Sequence, residues 1–117
     1  MKERNNTMKP MKKNDMITTI TRECWKQWNH LSELALEIVA DIQPGTMTYN
    51  DLRNIIDRNR DYSSALSIWY GMSELAERVG IDWMNAGYDS EDFETIEARE
   101  SHNENQLKIW KMSKEGA

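Results

Sequence analysis

Apolar residues recur at steps of three and four along the first part of the chain, at Ile17, Ile20, Cys24, Trp28, Leu31, Ala35, Ile38 and Ile42. That is the spacing of one helical face, and with Asn14 or Asp15 as N-cap it predicts a long amphipathic helix. The β-branched run Ile17–Thr21 weakens the first turns, so the helix can start as late as Thr21, or the run can form a short strand. The end is better marked. Gln43-Pro44-Gly45-Thr46 places proline and glycine at the centre of a type II turn, and Pro44 lacks the donor that would continue a helix.

A second helix is predicted from Thr48, which stands three residues before Asp51 in a variant of the capping box, with Met47 and Leu52 forming a hydrophobic staple. Leu52, Ile55 and Ile56 give it a narrow apolar face, and the polar run Asp57–Asp61 ends it. The third helix has the strongest pattern, with Tyr62, Ala65, Leu66, Trp69, Met72, Ala76 and Val79 in helical period and Ile68 and Leu75 broadening the stripe. Gly80 stops it as a left-handed cap, with Ile81 folding back on Leu75 or Ala76.

After an irregular piece, "IDWMNAGY", Asp89 or Ser90 is placed to cap a fourth helix whose first turn carries Glu91 and Asp92. Phe93, Ile96 and Leu107 share one face of it, yet Glu100 falls in the middle of that face and Glu97 and Glu104 beside it. Either the helix breaks near "SHNEN", or it leaves the core and turns a carboxylate stripe outward. The last stretch, "QLKIWKM", fits a helix end or a strand.

These elements predict an all-α fold, a single-domain bundle of about four helices over residues 16–117, preceded by a flexible basic tail over 1–15. The 117 residues suffice for one core without staples, and no apolar run approaches the roughly 20 residues a membrane span needs. The one cysteine, Cys24, excludes an intrachain disulfide framework and makes a reducing, cytoplasmic setting the expectation.

Charge is unevenly spread. The net −5 includes the tail cations Lys2, Arg4, Lys9, Lys12 and Lys13, whereas Arg99 is the only Lys or Arg between Asp82 and Glu104. The folded part is therefore more acidic than the whole and repels nucleic acid unless a basic patch intervenes.

Leu75-Ala76-Glu77-Arg78-Val79-Gly80-Ile81 resembles the first helix and turn of the helix-turn-helix family, with Asp82 where the recognition helix is capped. The next segment departs from that family, because Gly87 interrupts the second helix and no Arg or Lys between Gly80 and Tyr88 meets a phosphate or base edge. The stretch from Thr48 to Trp69 is similar to the helical part of a winged-helix unit, in which Arg53, Arg58 and Arg60 would contact DNA. Asp51, Asp57 and Asp61 neutralise them locally, so direct DNA binding is the weaker expectation.

The acidic row carries the stronger one. On a helix Glu97, Glu100 and Glu104 lie about 4.5 and 6 Å apart along the axis, and Asp89, Glu91, Asp92 and Glu94 extend the row. Such a row can replace phosphates in a basic groove. Among five tryptophans, Trp28 and Trp69 are assigned to the core, while an exposed Trp83 or Trp110 would anchor a partner. His30 and His102 give no metal spacing, Cys24 reads as a buried hydrophobe, and Gly71, Gly80 and Gly87 form no phosphate loop. No metal, cofactor or catalytic residue is expected. The expected function is a non-catalytic module, a small acidic inhibitor of the kind phages and mobile elements use, occupying the nucleic-acid-binding groove of a basic protein. A DNA-binding transcriptional regulator is the alternative, and a homodimer through the first helix a further expectation.

Overall fold

The computed structural model describes residues 13–117, and every regular element in that range is an α-helix. They are α1 (Lys13–Val39), α2 (Tyr49–Arg58), α3 (Arg60–Arg78), α4 (Trp83–Tyr88) and α5 (Phe93–Met112). The helix therefore begins inside the stretch assigned to the tail, and its β-branched start is helical, since packing outweighs the weak propensity of Ile17–Thr21. Residues 1–12 lie outside the described residues.

α1 is the hub. It packs most extensively on α5, then on α3 and α4, and less on α2. Two cores form along it. Leu31, Ala35 and Val39 join Leu52 and Ile56 of α2, Tyr62 and Ala65 of α3, and Ile109 of α5. Cys24 and Trp25 join Ala76, Ile81, Trp83 and Ala98. Trp28 and Trp69 touch both and stack at 4.3 Å between ring centroids, fusing the two into one. Burial at Cys24 pushes the thiol pKa up to about 11, so it behaves as the expected small hydrophobe.

Local signals set most of the boundaries. Gly45 takes φ 81°, as a type II turn requires, and the Thr46 hydroxyl donates back to the Gln43 carbonyl. Thr48 accepts from the Asp51 amide at the start of α2. Gly80 has φ 78°, with Ile81 N–H donating to Ala76 O and Gly80 N–H to Glu77 O, which together make a Schellman cap. Ile81 packs on Ala76, while Leu75 is left exposed.

Other boundaries differ from expectation. The polar run after α2 shrinks to one residue, because Asn59 ends α2 and its side chain caps α3 by accepting from the Tyr62 amide at 3.0 Å. The piece "IDWMNAGY" contains α4, capped by Asp82, whose side chain accepts from the Asn85 amide. Neither Asp89 nor Ser90 caps α5. Asp92 does, accepting from the Thr95 amide at 3.1 Å and hydroxyl at 2.9 Å. The α5 helix continues unbroken through "SHNEN" and "QLKIWKM".

On α3 only part of the broad apolar stripe is used. Tyr62, Ala65 and Ala76 are buried and Trp69 and Met72 half-buried, but Leu66, Ile68, Leu75 and Val79 are exposed. Leu66 is thus not the core residue its spacing implied.

Candidate interaction surface

α5 turns an unexpected side inward. Its buried residues are Thr95, Ala98, His102, Asn105 and Ile109, a set that is mostly small or polar. Two of the polar members are satisfied by α1: Asn105 Nδ2 donates to Ser32 Oγ at 3.1 Å and Asn29 Oδ1 at 3.3 Å, and His102 Nδ1 meets the Trp28 carbonyl at 3.2 Å while its ring stacks on Trp28. Such pairing removes most of the penalty of burying amides and imidazole.

The opposite side, facing solvent, is the one on which Phe93 and Leu107 lie. Phe93 is 74% exposed and Leu107 50% exposed, and Glu97, Glu100 and Glu104 stand between them, all exposed. The carboxylate stripe therefore lies on the continuous helix, with apolar side chains at both ends. Ile96, at its edge, is half-buried.

The other acidic residues divide by environment. Asp89 and Glu91 are exposed and, like Glu97 and Glu100, make no ion pair among the described residues. Glu94 is tied to α1 through Lys26 at 3.0 Å and Arg22 at 3.8 Å, and Glu104 lies 3.4 Å from Lys108. With Glu33 of α1, Glu94 and Glu97 also line a shallow groove between the two helices. Asp92 leaves the partner-binding set. It is half-buried, caps α5 and receives Arg22 in bidentate fashion at 2.7 and 2.9 Å, so its carboxylate holds α5 to α1.

Trp83 is corrected as well. It is 7% exposed, its indole N–H donates to Ser73 Oγ at 3.1 Å, and its ring meets Trp25, Trp28 and Trp69, so it is a core residue and no surface anchor. Trp110 is 42% exposed and leans on Tyr49 at 5.4 Å.

The arginine set for DNA is only partly presented. Arg53 is half-buried, donates to the Tyr62 hydroxyl at 3.2 Å and lies 3.6 Å from Asp57, which makes it a packing residue. Arg58 and Arg60 are exposed at the α2–α3 junction. α4, the element in the place of a recognition helix, has six residues and buries Trp83 and Gly87. It turns Met84, Asn85 and Tyr88 outward, and Arg99 of α5 closes its C-terminal end by donating to Gly87 O at 2.7 Å and Tyr88 O at 3.3 Å.

Three contributors to the surface escaped the pattern of the sequence. Lys108 and Lys111 continue the outward face beyond Glu104, which their spacings of four and three residues could have indicated. Arg22, one turn before Lys26, neutralises the N-terminal end of the row, and no local signal links it to a residue 70 positions away. Among the described residues no group of histidine, cysteine and carboxylate side chains could hold a metal ion, and no helix is long and apolar enough to cross a membrane. No protein-family model, curated protein or solved structure matches the chain.

Two titratable groups make stability pH-dependent. The Arg22 guanidinium, followed by the hydrogen bonds from Thr95, holds the Asp92 carboxyl well below the usual carboxylate range. Burial pushes His102 down, opposed in part by its hydrogen bond with the Trp28 carbonyl. Both folded-state pKa values are depressed, so both contributions are present above the unfolded pKa and lost on acidification. Stability should fall first as pH drops below about 6.5, from His102, and again below about 4, from Asp92. Urea melts across pH check this: His102→Gln should flatten the upper step and Asp92→Asn the lower, with Asn retaining the cap.

Proposed function

We propose that the chain is a non-catalytic protein-binding module, an acidic inhibitor whose α5 occupies the nucleic-acid-binding groove of a basic partner. The observation that carries this reading is the outward row Glu97, Glu100 and Glu104 on a continuous helix, bounded by exposed Phe93 and Leu107. The row carries one charge per about 5 Å of axis, sparser than the 3.4 Å of a single nucleic-acid strand. Electrostatics would therefore steer the encounter while the two apolar side chains supply buried contact, the division of labour common at charged interfaces. Asp89 and Glu91, which make no ion pair among the described residues, lengthen the negative field at the N-terminal end.

The test is capture of partners from extracts of the source cell on immobilised protein, with labelled DNA as competitor. Glu97→Lys, Glu100→Lys and Glu104→Lys together should lose the captured partner by more than tenfold while helical content by circular dichroism stays unchanged, and DNA should displace the parent complex. An equal capture by the triple variant means that the stripe is only solvated surface. If instead the protein itself binds labelled duplex with a steep salt dependence, and Arg58→Ala with Arg60→Ala abolishes it, the regulator is the better reading.

A further inference from the structure

We propose that the outward face of α5 also pairs with the same face of a second copy, the two helices running antiparallel about a two-fold axis near Glu104. This goes beyond a heterologous partner and does not depend on one. The carrying observation is a change of charge sign along a single exposed face. Glu97, Glu100 and Glu104 occupy its first part and Lys108 and Lys111 its last, at successive steps of three or four residues.

A helix face that is negative in its first half and positive in its second is complementary to its own reverse, and a two-fold contact across a helix supplies that reverse. With the axis at Glu104, Glu97 stands opposite Lys111 of the partner subunit, and Glu100 opposite Lys108 of the partner subunit. Leu107, 50% exposed, then lies level with Ser101 of the partner subunit along the axis. Phe93, 74% exposed, falls beyond the end of the opposing helix. Glu97, Glu100 and Lys111 make no ion pair among the described residues, whereas Lys108 is already 3.4 Å from its own Glu104 and would be shared with the incoming Glu100. The two Glu104 carboxylates meet near the axis, each already 3.4 Å from its own Lys108.

The apolar face of α1 is filled from within, by the packing of Cys24, Trp25, Leu31, Ala35 and Val39, and is not open to a second copy. Exposed ion pairs are individually weak and screened by salt. The dimer is therefore concentration-dependent, and because it covers the acidic row, pairing and partner binding exclude each other.

Sedimentation equilibrium of the full-length protein, from micromolar to near-millimolar concentration, tests this at low salt and at about 1 M salt, where the screening length falls to about 3 Å. The dimer should be reversible, with a dissociation constant raised about tenfold or more at high salt. Glu97→Lys with Glu100→Lys should give monomers, and so should Lys108→Glu with Lys111→Glu. All four substitutions in one chain reverse the polarity at unchanged net charge and should restore the dimer. A chain that is monomeric throughout overturns the proposal, as does a dimer indifferent to salt and to these variants, or a helical four-fold variant that stays monomeric. None of those outcomes touches the capture experiment, so the two readings fail separately.

Discussion

Truncating Trp25 to alanine is expected to cost about 3 to 5 kcal/mol of folding stability, the range found for large aromatic side chains removed from cores. Trp25 is 1% exposed and lies where α1, α4 and α5 converge. Its ring meets Trp83 at 5.4 Å, Tyr88 at 5.6 Å and His102 at 6.1 Å, each edge to face. Its indole N–H donates to the Trp83 carbonyl at 3.1 Å. Alanine would leave a cavity in contact with three elements and an orphaned buried carbonyl. Trp25→Phe keeps much of the volume and loses the donor, so it should fall between the two, about 1 to 3 kcal/mol below the parent. Urea melts of the three proteins measure this, and a loss under about 1 kcal/mol for the alanine variant would remove Trp25 from the centre of the fold.

The sequence pattern assigned Trp28 and Trp69 to the core and passed over Trp25, and the reason is geometric. A single apolar stripe assumes a helix with one neighbour. α1 has four, so a wider arc of its circumference is inside, and Cys24, Trp25 and Trp28 are all drawn in. The converse holds on α3, where Ile68, Leu75 and Val79 match the period but find no element to cover them. Periodicity reports which residues could share a face; how many faces are buried depends on neighbours that the local sequence does not name.

The caps at Thr48 and Gly80 were legible because their partners lie within a few residues. Thr48 with Asp51 and Gly80 with Ile81 are local geometry, written in residue types that suit one backbone conformation. The inward face of α5 was not legible. Asn105 and Ser32 are 73 positions apart, and the hydrogen bonds from Asn105 to Ser32 and Asn29 make an amide tolerable where a leucine would be expected. Once those polar residues face α1, Phe93 and Leu107 have to face solvent, and the stripe between them follows. The outward row was therefore readable as one of two alternatives, and the interior of the bundle decides between them. Asp92 illustrates the remaining gap: its acidity placed it in the row, while its position before Thr95 and opposite Arg22 makes it a structural cap.

Gly87→Ala is expected to destabilise the protein by about 2 to 3 kcal/mol, although helix propensity alone favours alanine by about 1 kcal/mol at an interior helical position. The opposition of sign makes the outcome informative. Gly87 lies in α4 and is buried, and a methyl group at its Cα would overlap the indole of Trp25 at Nε1, Cδ1 and Cε2. That ring is fixed by its hydrogen bond and by three aromatic neighbours, so it has no low-energy way to retreat, and either the ring or α4 has to move. Gly71 is the matched control. It is interior to α3 and exposed, and a methyl group there meets nothing within 4 Å, so Gly71→Ala should raise stability by about 0.5 to 1 kcal/mol. Chemical melts of the two variants should therefore move in opposite directions from the parent. If both rise, propensity governs at residue 87 and the close approach of α4 to Trp25 is wrong; the glycine that interrupts the would-be recognition helix would then need another explanation than the tryptophan beneath it.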